Sequence, residues 1–214
     1  SGGVDLAFPH HDNELAQSEA CFDNEQWINY FLHTGHLHIE GQKMSKSLKN
    51  FITIKEALNN YSARQLRLVF ASAQWNNQLD FKESLVNEVK SLETSFNNFF
   101  QNVRALQSDN SHRQEGMSHN ISKKFTSLET KLLNDLQSTQ EKVDIAFCDN
   151  LATAQAIKAL SDMVTITNSY ISTVGNDLKI EPVLDVCKYI TKILNIIGFQ
   201  GRPDSLGWVN ASAS

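Results

Sequence analysis

Lys43-Met44-Ser45-Lys46-Ser47 sits inside the run His38-Ile39-Glu40-Gly41-Gln42-Lys43-Met44-Ser45-Lys46-Ser47-Leu48-Lys49-Asn50-Phe51. Two lysines three positions apart, spaced by small or flexible residues, make poor core and a good arm for a polyphosphate. Lysine carries a compact ammonium on a long stem, which suits point contacts to phosphate oxygens. A preorganised donor facing charge that develops in a transition state is worth roughly 3–4 kcal/mol. The plain alternative for a bare K-x-x-K is a solvated surface loop. The surroundings weigh on this choice. From Lys43 to Arg67 the chain carries Lys43, Lys46, Lys49, Lys55, Arg64 and Arg67 against one acid, Glu56. The whole chain has a net charge of −5. An acidic protein with one basic strip suits a directed phosphate contact better than a general coat on nucleic acid.

Composition sets the outer bounds. The 214 residues, 41% hydrophobic and 20% charged, suffice for one large or two small soluble domains. No apolar run approaches the roughly 18–20 residues of a membrane span, so no membrane partner is expected. The opening Ser1-Gly2-Gly3-Val4-Asp5 has no basic region of a signal peptide and no Met, and it begins inside a motif. The expectation is a segment of a longer protein. Cys21, Cys148 and Cys187 are far apart, odd in number and without a CxxC, which fits a reducing compartment and single packed or near-surface thiols.

In chain order, Gly2-Gly3 permits close approach of the backbone to a ligand, and Pro9 suits the first position of a helix. His10 and Glu14, four apart, would share a face of that helix, with Leu15, Ala16 and Ala20 turned inward. Imidazole and carboxylate are good zinc ligands, but two are half a site. An acidic first turn with a surface histidine is the other reading. Trp27, Ile28, Tyr30, Phe31 and Leu32 form an apolar block that Gly35 breaks, and His36-Leu37-His38-Ile39 alternates like a strand. His33, His36 and His38 lack acidic or Cys company and read as structural or substrate-side groups. Thr53 can cap a helix, and Ser62 with Gln65 forms a capping box for the next, whose buried face is Ala63, Leu66, Val69, Phe70 and Ala73. Arg64 and Arg67 are open either to a phosphate backbone or to acids on a neighbouring helix.

From residue 83 the pattern is helical. Leu85, Val89, Leu92, Phe96, Phe99, Val103 and Leu106 step alternately by 4 and 3. Residues 107–120 read as a polar loop. Further helices are marked by Ile121 to Leu136, by Leu151 to Ile171, and by Leu184 to Ile197 behind Pro182, with Gly198 as the stop. Residues 201–214 read as an irregular tail. The expected class is mainly α, with a mixed part over 1–82 and a helical bundle over 83–200.

Lys43 to Ser47 resembles the signature loop of class I aminoacyl-tRNA synthetases. Gly2-Gly3-Val4-Asp5-Leu6-Ala7-Phe8-Pro9-His10-His11-Asp12-Asn13-Glu14 upstream, with Phe31-Leu32-His33-Thr34-Gly35-His36-Leu37, is similar to the cysteinyl-tRNA synthetases, of eukaryotic type in its flanks. The resemblance implies that residues 1–82 are the C-terminal remnant of a Rossmann-type catalytic domain with the KMSKS loop, followed by an anticodon-binding helical bundle. It implies a cytoplasmic ligase that activates cysteine with ATP and magnesium and passes it to tRNA-Cys. Lys46 would contact the ATP phosphates and Lys43 would assist. The backbone at Met44 would line the adenine, and Gly3 and Asp5 would approach the ribose. His10 and Glu14 would be two of four zinc ligands. The other two in the family are cysteines N-terminal to this stretch, as is the HIGH motif. An empty half-site, a mobile KMSKS loop and a chain inactive by itself are therefore expected. Two alternatives remain: a non-catalytic tRNA-binding module, and a related cysteine ligase that uses an amino sugar.

Overall fold

The structure, a computed structural model, describes residues 1–44, 50–115 and 125–209, apart from the side chains of residues 112–115. Lys46, with the rest of residues 45–49, lies outside the described residues, and so does the expected mobility of that loop. The elements are β1 (Gly2–Gly3), α1 (Asp12–Phe22), β2 (His33–Thr34), β3 (Leu37–Ile39), β4 (Gln42–Lys43), α2 (Ile54–Asn60), α3 (Ala63–Ala71), β5 (Leu79–Phe81), and the long helices α4 (Glu83–Glu115), α5 (Ser127–Cys148), α6 (Thr153–Val174) and α7 (Ile180–Ile196). The chain is mainly helical, as its periodicity implies. No helix among the described residues is long and apolar enough to cross a membrane.

The long helices bury one core. Phe96, Phe99, Phe100 and Val103 of α4 meet Leu132 and Val143 of α5, Leu160 and Met163 of α6, and Ile190 and Leu194 of α7. Leu68 and Val69 bring α3 into the same core. The buried face of α3 is thus turned from the expected one: Phe70 is exposed and Leu68 is inside. Periodicity over nine residues leaves that rotation open, and contact with α4 decides it.

Caps account for the helix ends. Thr53–Glu56, Ser62–Gln65 and Thr126–Glu129 are all complete capping boxes that satisfy backbone N–H groups with no partner inside the helix. At the end of α7, Gly198 has φ +93°. Its N–H donates to the Asn195 carbonyl at 3.0 Å and the Phe199 N–H to the Leu194 carbonyl at 2.9 Å, the paired bonds of a Schellman stop. Helix α7 begins at Ile180, with Pro182 inside its first turn, where no intrahelical N–H bond is lost.

Several expectations need correcting. Helix α4 runs on through residues 107–115, which read as loop, because polar residues end an apolar stripe without ending a helix. Phe8 is extended and the chain makes an irregular helical turn over Ala7–His11, so the regular helix starts at Asp12 rather than Pro9. Nothing in α1 is buried: Ala16 and Ala20 are exposed and Leu15 half-buried. The block from Trp27 to Leu32 is irregular, with Tyr30 90% exposed. Apolar residues are buried only where other elements reach them, and here the contacts are local: Phe22 stacks on Trp27 and His11 on Phe31.

The stretch after α7 is irregular but part of the core. Phe199, Leu206 and Trp208 are buried, and the Trp208 ring meets those of Phe96 and Phe100 edge-on at 5.6 and 5.5 Å. Trp208 Nε1 donates to Asn97 Oδ1 at 2.6 Å, and Arg104 donates to the Leu206 carbonyl at 2.9 Å. Gly207 has φ +96°, and a Cβ there would lie 2.5 Å from Phe100 Cγ. Gly207→Ala is expected to cost about 2–3 kcal/mol through backbone strain and overpacking, read as a lower urea midpoint.

Candidate nucleotide-loop site

The site is built on two small sheets, one of two strands and one of three. Strand β1 pairs in parallel with β2, Gly2 opposite His33 and Gly3 opposite Thr34. Strand β3 pairs antiparallel with β4 and parallel with β5. The β3–β4 hairpin turns at Glu40 and Gly41, with Gly41 at φ +80°, and the Gly41 N–H donates to Asp80 Oδ1 at 2.8 Å. These contacts set the backbone from which the KMSKS word leaves. The Met44 N–H donates to the Leu37 carbonyl at 3.2 Å, and Asn50 Nδ2 to the Lys43 carbonyl at 3.3 Å. Lys43 and Asn50 thus bracket the six residues between them.

Asp5, in a tight turn after β1, comes to the same place. Lys43 Nζ lies 3.6 Å from Asp5 Oδ2 and 3.5 Å from His36 Nε2, and His36 Nε2 lies 3.9 Å from Asp5 Oδ1. Lys43 and Asp5 are about half exposed, at 52% and 51%. A pair so wetted contributes about 0–1 kcal/mol and exchanges readily for another anion. The Asp5 carboxylate also lies over Gly3, where a Cβ would sit 2.6 Å from Oδ1. The structure therefore brings together Gly3, Asp5, Lys43 and the main chain of Met44. It adds His36 and Asn50, which sequence reading did not place with them. The alternation around His36 marks a strand, and nothing in that pattern points to Lys43.

His10 and Glu14 stand apart from this cluster. His10 is exposed and Glu14 half-buried. Among the described residues no three His, Cys, Asp or Glu side chains are grouped to hold a metal ion. Two donors leave a tetrahedral zinc two ligands short. Cys21 and Cys148 are exposed free thiols, and Cys187 is buried in the bundle, where burial pushes its thiol up to about 12. This chain's described residues do not complete a zinc site. Beside His10, buried His11 meets His33 ring to ring, Nδ1 to Nε2 at 2.8 Å, with Phe31 stacked on it. Desolvation first, and then the neighbouring His33, lower the His11 pKa.

Of the two arginines left open, Arg64 turns to protein. Its guanidinium lies 3.4 Å from Glu93 Oε1 on α4 and 4.7 Å from the Trp208 ring centroid, and it also donates to the Val209 carbonyl. Burial lowers its pKa and Glu93 opposes that shift. Arg67 is more exposed and donates to the Ile197 carbonyl at 3.4 Å. Arg64 is therefore a strut between α3, α4 and the final stretch.

Residues 1–91 match the family described as the class I (C) tRNA synthetase catalytic domain. The site defined above, with its KMSKS bracket, falls within that match. Along nearly its whole length the chain is similar in sequence to part of several cysteine–tRNA ligases. It is 44% identical to the cytoplasmic cysteine–tRNA ligase of Drosophila pseudoobscura pseudoobscura over 95% of this chain and 27% of that protein. It is 39% identical to the cytoplasmic human enzyme over 97% of this chain and 27% of that one. The chain thus spans about a quarter of the length of these relatives. Among solved structures, the methionyl-tRNA synthetase of Mycobacterium tuberculosis bound by methionyl-adenylate superposes with a TM-score of 0.70 at 17% identity, over 92% of this chain and 41% of that one. The LeuRS of Agrobacterium radiobacter K84, in a ternary complex with tRNA and LeuAMS, gives 0.66 at 15% identity over 99% and 28%. At such identities the likeness is one of fold.

Proposed function

We propose that this chain is the KMSKS-loop and anticodon-binding segment of a cytoplasmic cysteine–tRNA ligase. The convergence of Asp5, His36 and Lys43 at the base of the KMSKS word carries the reading. It sets a movable cation beside a carboxylate, in a segment homologous to ligases that bear this name. In the reaction, the cysteine carboxylate attacks the α-phosphorus of ATP and pyrophosphate leaves. A hydroxyl of the tRNA-Cys terminal adenosine then attacks the cysteinyl carbonyl and AMP leaves. Lys46, with Lys43, neutralises the pyrophosphate as its charge grows, and magnesium accompanies the ATP. Asp5 and Gly3 approach the ribose, and the Met44 backbone lines the adenine. Residues 1–82 are the catalytic side, and the bundle over 83–200 carries the anticodon contact. His10 and Glu14 would lend two ligands to a zinc whose remaining donors lie outside the described residues, so no step here runs through it.

The test is cysteine-dependent ATP–pyrophosphate exchange and charging of tRNA-Cys by the native full-length product of the gene. Lys46→Ala is expected to lower exchange about 100-fold. Salt-sensitive tRNA binding with no exchange would instead mark a non-catalytic tRNA-binding module. Transfer of cysteine to an amino sugar but not to tRNA would mark the related ligase.

A further inference from the structure

We infer that His36 is a positioning residue that, with Asp5, sets where Lys43 presents its ammonium to the nucleotide. This rests on the reading of the chain as an ATP-using synthetase segment and goes beyond it, because His36 lies outside the KMSKS word and is given no part in the reaction described above.

Three observations carry it. The first is that the main chain of Lys43 is held while its stem is free. Lys43 is paired with His38 across the hairpin, its carbonyl accepts from Asn50, and the next N–H is bound to Leu37. Only the four-carbon stem can choose where the charge goes. Second, His36 is the firmest of the three converging groups. Its side chain is 27% exposed against 51% for Asp5. Its own carbonyl accepts from the Leu79 N–H at 3.0 Å, and the preceding Gly35 N–H donates to the Trp75 carbonyl at 3.0 Å. A Cβ added on Gly3 would lie 3.8 Å from His36 Cε1, so the ring faces Gly3 of β1. The third is stoichiometry. An ammonium has three N–H donors. One faces Asp5 Oδ2 at ion-pair distance, 3.6 Å, and one lies 3.5 Å from His36 Nε2, which accepts when the ring proton is on Nδ1. The third is left for a phosphate oxygen. The pair therefore aims the charge without burying it. Asp5 alone, a half-exposed carboxylate on a short turn, would leave the stem to swing about one contact.

Two measurements decide it. In the native full-length protein, His36→Ala is expected to lower kcat/KM for ATP in pyrophosphate exchange about tenfold. His36→Gln, whose amide oxygen can reach the Nε2 position, should stay near the parent value. In a Lys43→Ala background, His36→Ala should then change nothing further. A histidine that merely supports the fold would lower activity equally in both backgrounds, and that result overturns the inference, as does parental activity in His36→Ala. The second measurement is independent of catalysis. In the same full-length protein, labelled at lysine, the NMR resonance of the Lys43 Nζ should shift on His36→Ala and much less on His36→Gln. An unmoved resonance overturns the contact even if exchange is absent. Absence of exchange in the parent protein, with the resonance shifting as expected, strikes the synthetase reading and leaves the contact standing.

Discussion

Glu129→Ala is expected to destabilise the helical bundle by about 3–5 kcal/mol, the loss typical when one partner of a buried charge pair is removed. Glu129 is 2% exposed. Its carboxylate accepts from the Thr126 N–H and Oγ1 at 2.5 Å each, from the Tyr170 hydroxyl at 2.8 Å and from Lys179 Nζ at 3.1 Å. It closes the capping box of α5 and ties α5 to α6 and to the entry of α7. Removing it leaves the Tyr170 hydroxyl, a helix-end N–H and a sheltered ammonium without their shared acceptor. Burial opposes ionisation of Glu129 most strongly, yet the bonds from Thr126, Tyr170 and Lys179 together outweigh it and hold the carboxyl at about 2, below the ordinary 4.5. The unfolded chain takes up this proton near 4.5, and the folded protein only near 2. The contribution is thus fully present above 4.5 and fades as the pH falls from there toward 2. Urea midpoints measured across that range should fall more steeply for the parent protein than for Glu129→Gln. Parallel curves would show that the carboxylate is not coupled to folding.

Gly35→Ala is expected to cost about 3 kcal/mol or more, because the added methyl has no space to enter. A Cβ at Gly35 would lie 1.9 Å from the Asn77 carbonyl oxygen and 2.2 Å from its carbon. Both are backbone, so no side chain can turn aside. Residues 75–79 cross Gly35 and are bonded to it on either side, through the Gly35 N–H to the Trp75 carbonyl and the Leu79 N–H to the His36 carbonyl. Relief must separate β3 from β5, and with β3 goes His36. The melting temperature should drop roughly 2–4 °C per kcal/mol at this chain length, and in the proposed full-length ligase pyrophosphate exchange should fall with it. Gly41→Ala makes the internal control. Gly41 also stands at a turn, at φ +80°, with nothing within 4 Å of an added Cβ. It should cost only about 1 kcal/mol of backbone strain. Equal losses at the two glycines would rule out the backbone clash as the cause.

The bundle was legible because its signals are local and repeated. The stripe from Leu85 to Leu106 names a long helix, and hydroxyl residues three before Glu or Gln mark where helices start. Gly198 ends α7 because a positive φ is cheap only for glycine. Of the candidate site, the family resemblance singled out the KMSKS word, Asp5 and Gly3, and the structure brings Gly3, Asp5 and Lys43 together. What could not be read from the chain depends on long-range contact. The rotation of α3 about Leu68 is settled by α4. The commitment of Arg64 to Glu93, rather than to a phosphate, is settled by an acid 29 positions away. The burial of Trp208 under Phe96 and Phe100 gives an irregular stretch a place in the core. The sequence by itself determined that the chain is mainly helical and where capping boxes and Gly198 bound particular helices, since capping and periodicity act within a few residues. Only the tertiary structure decided that His36 and Asp5 meet at Lys43. That meeting requires β1 beside β2 and β3 beside β5, and pairing between distant strands leaves no periodic mark on either one.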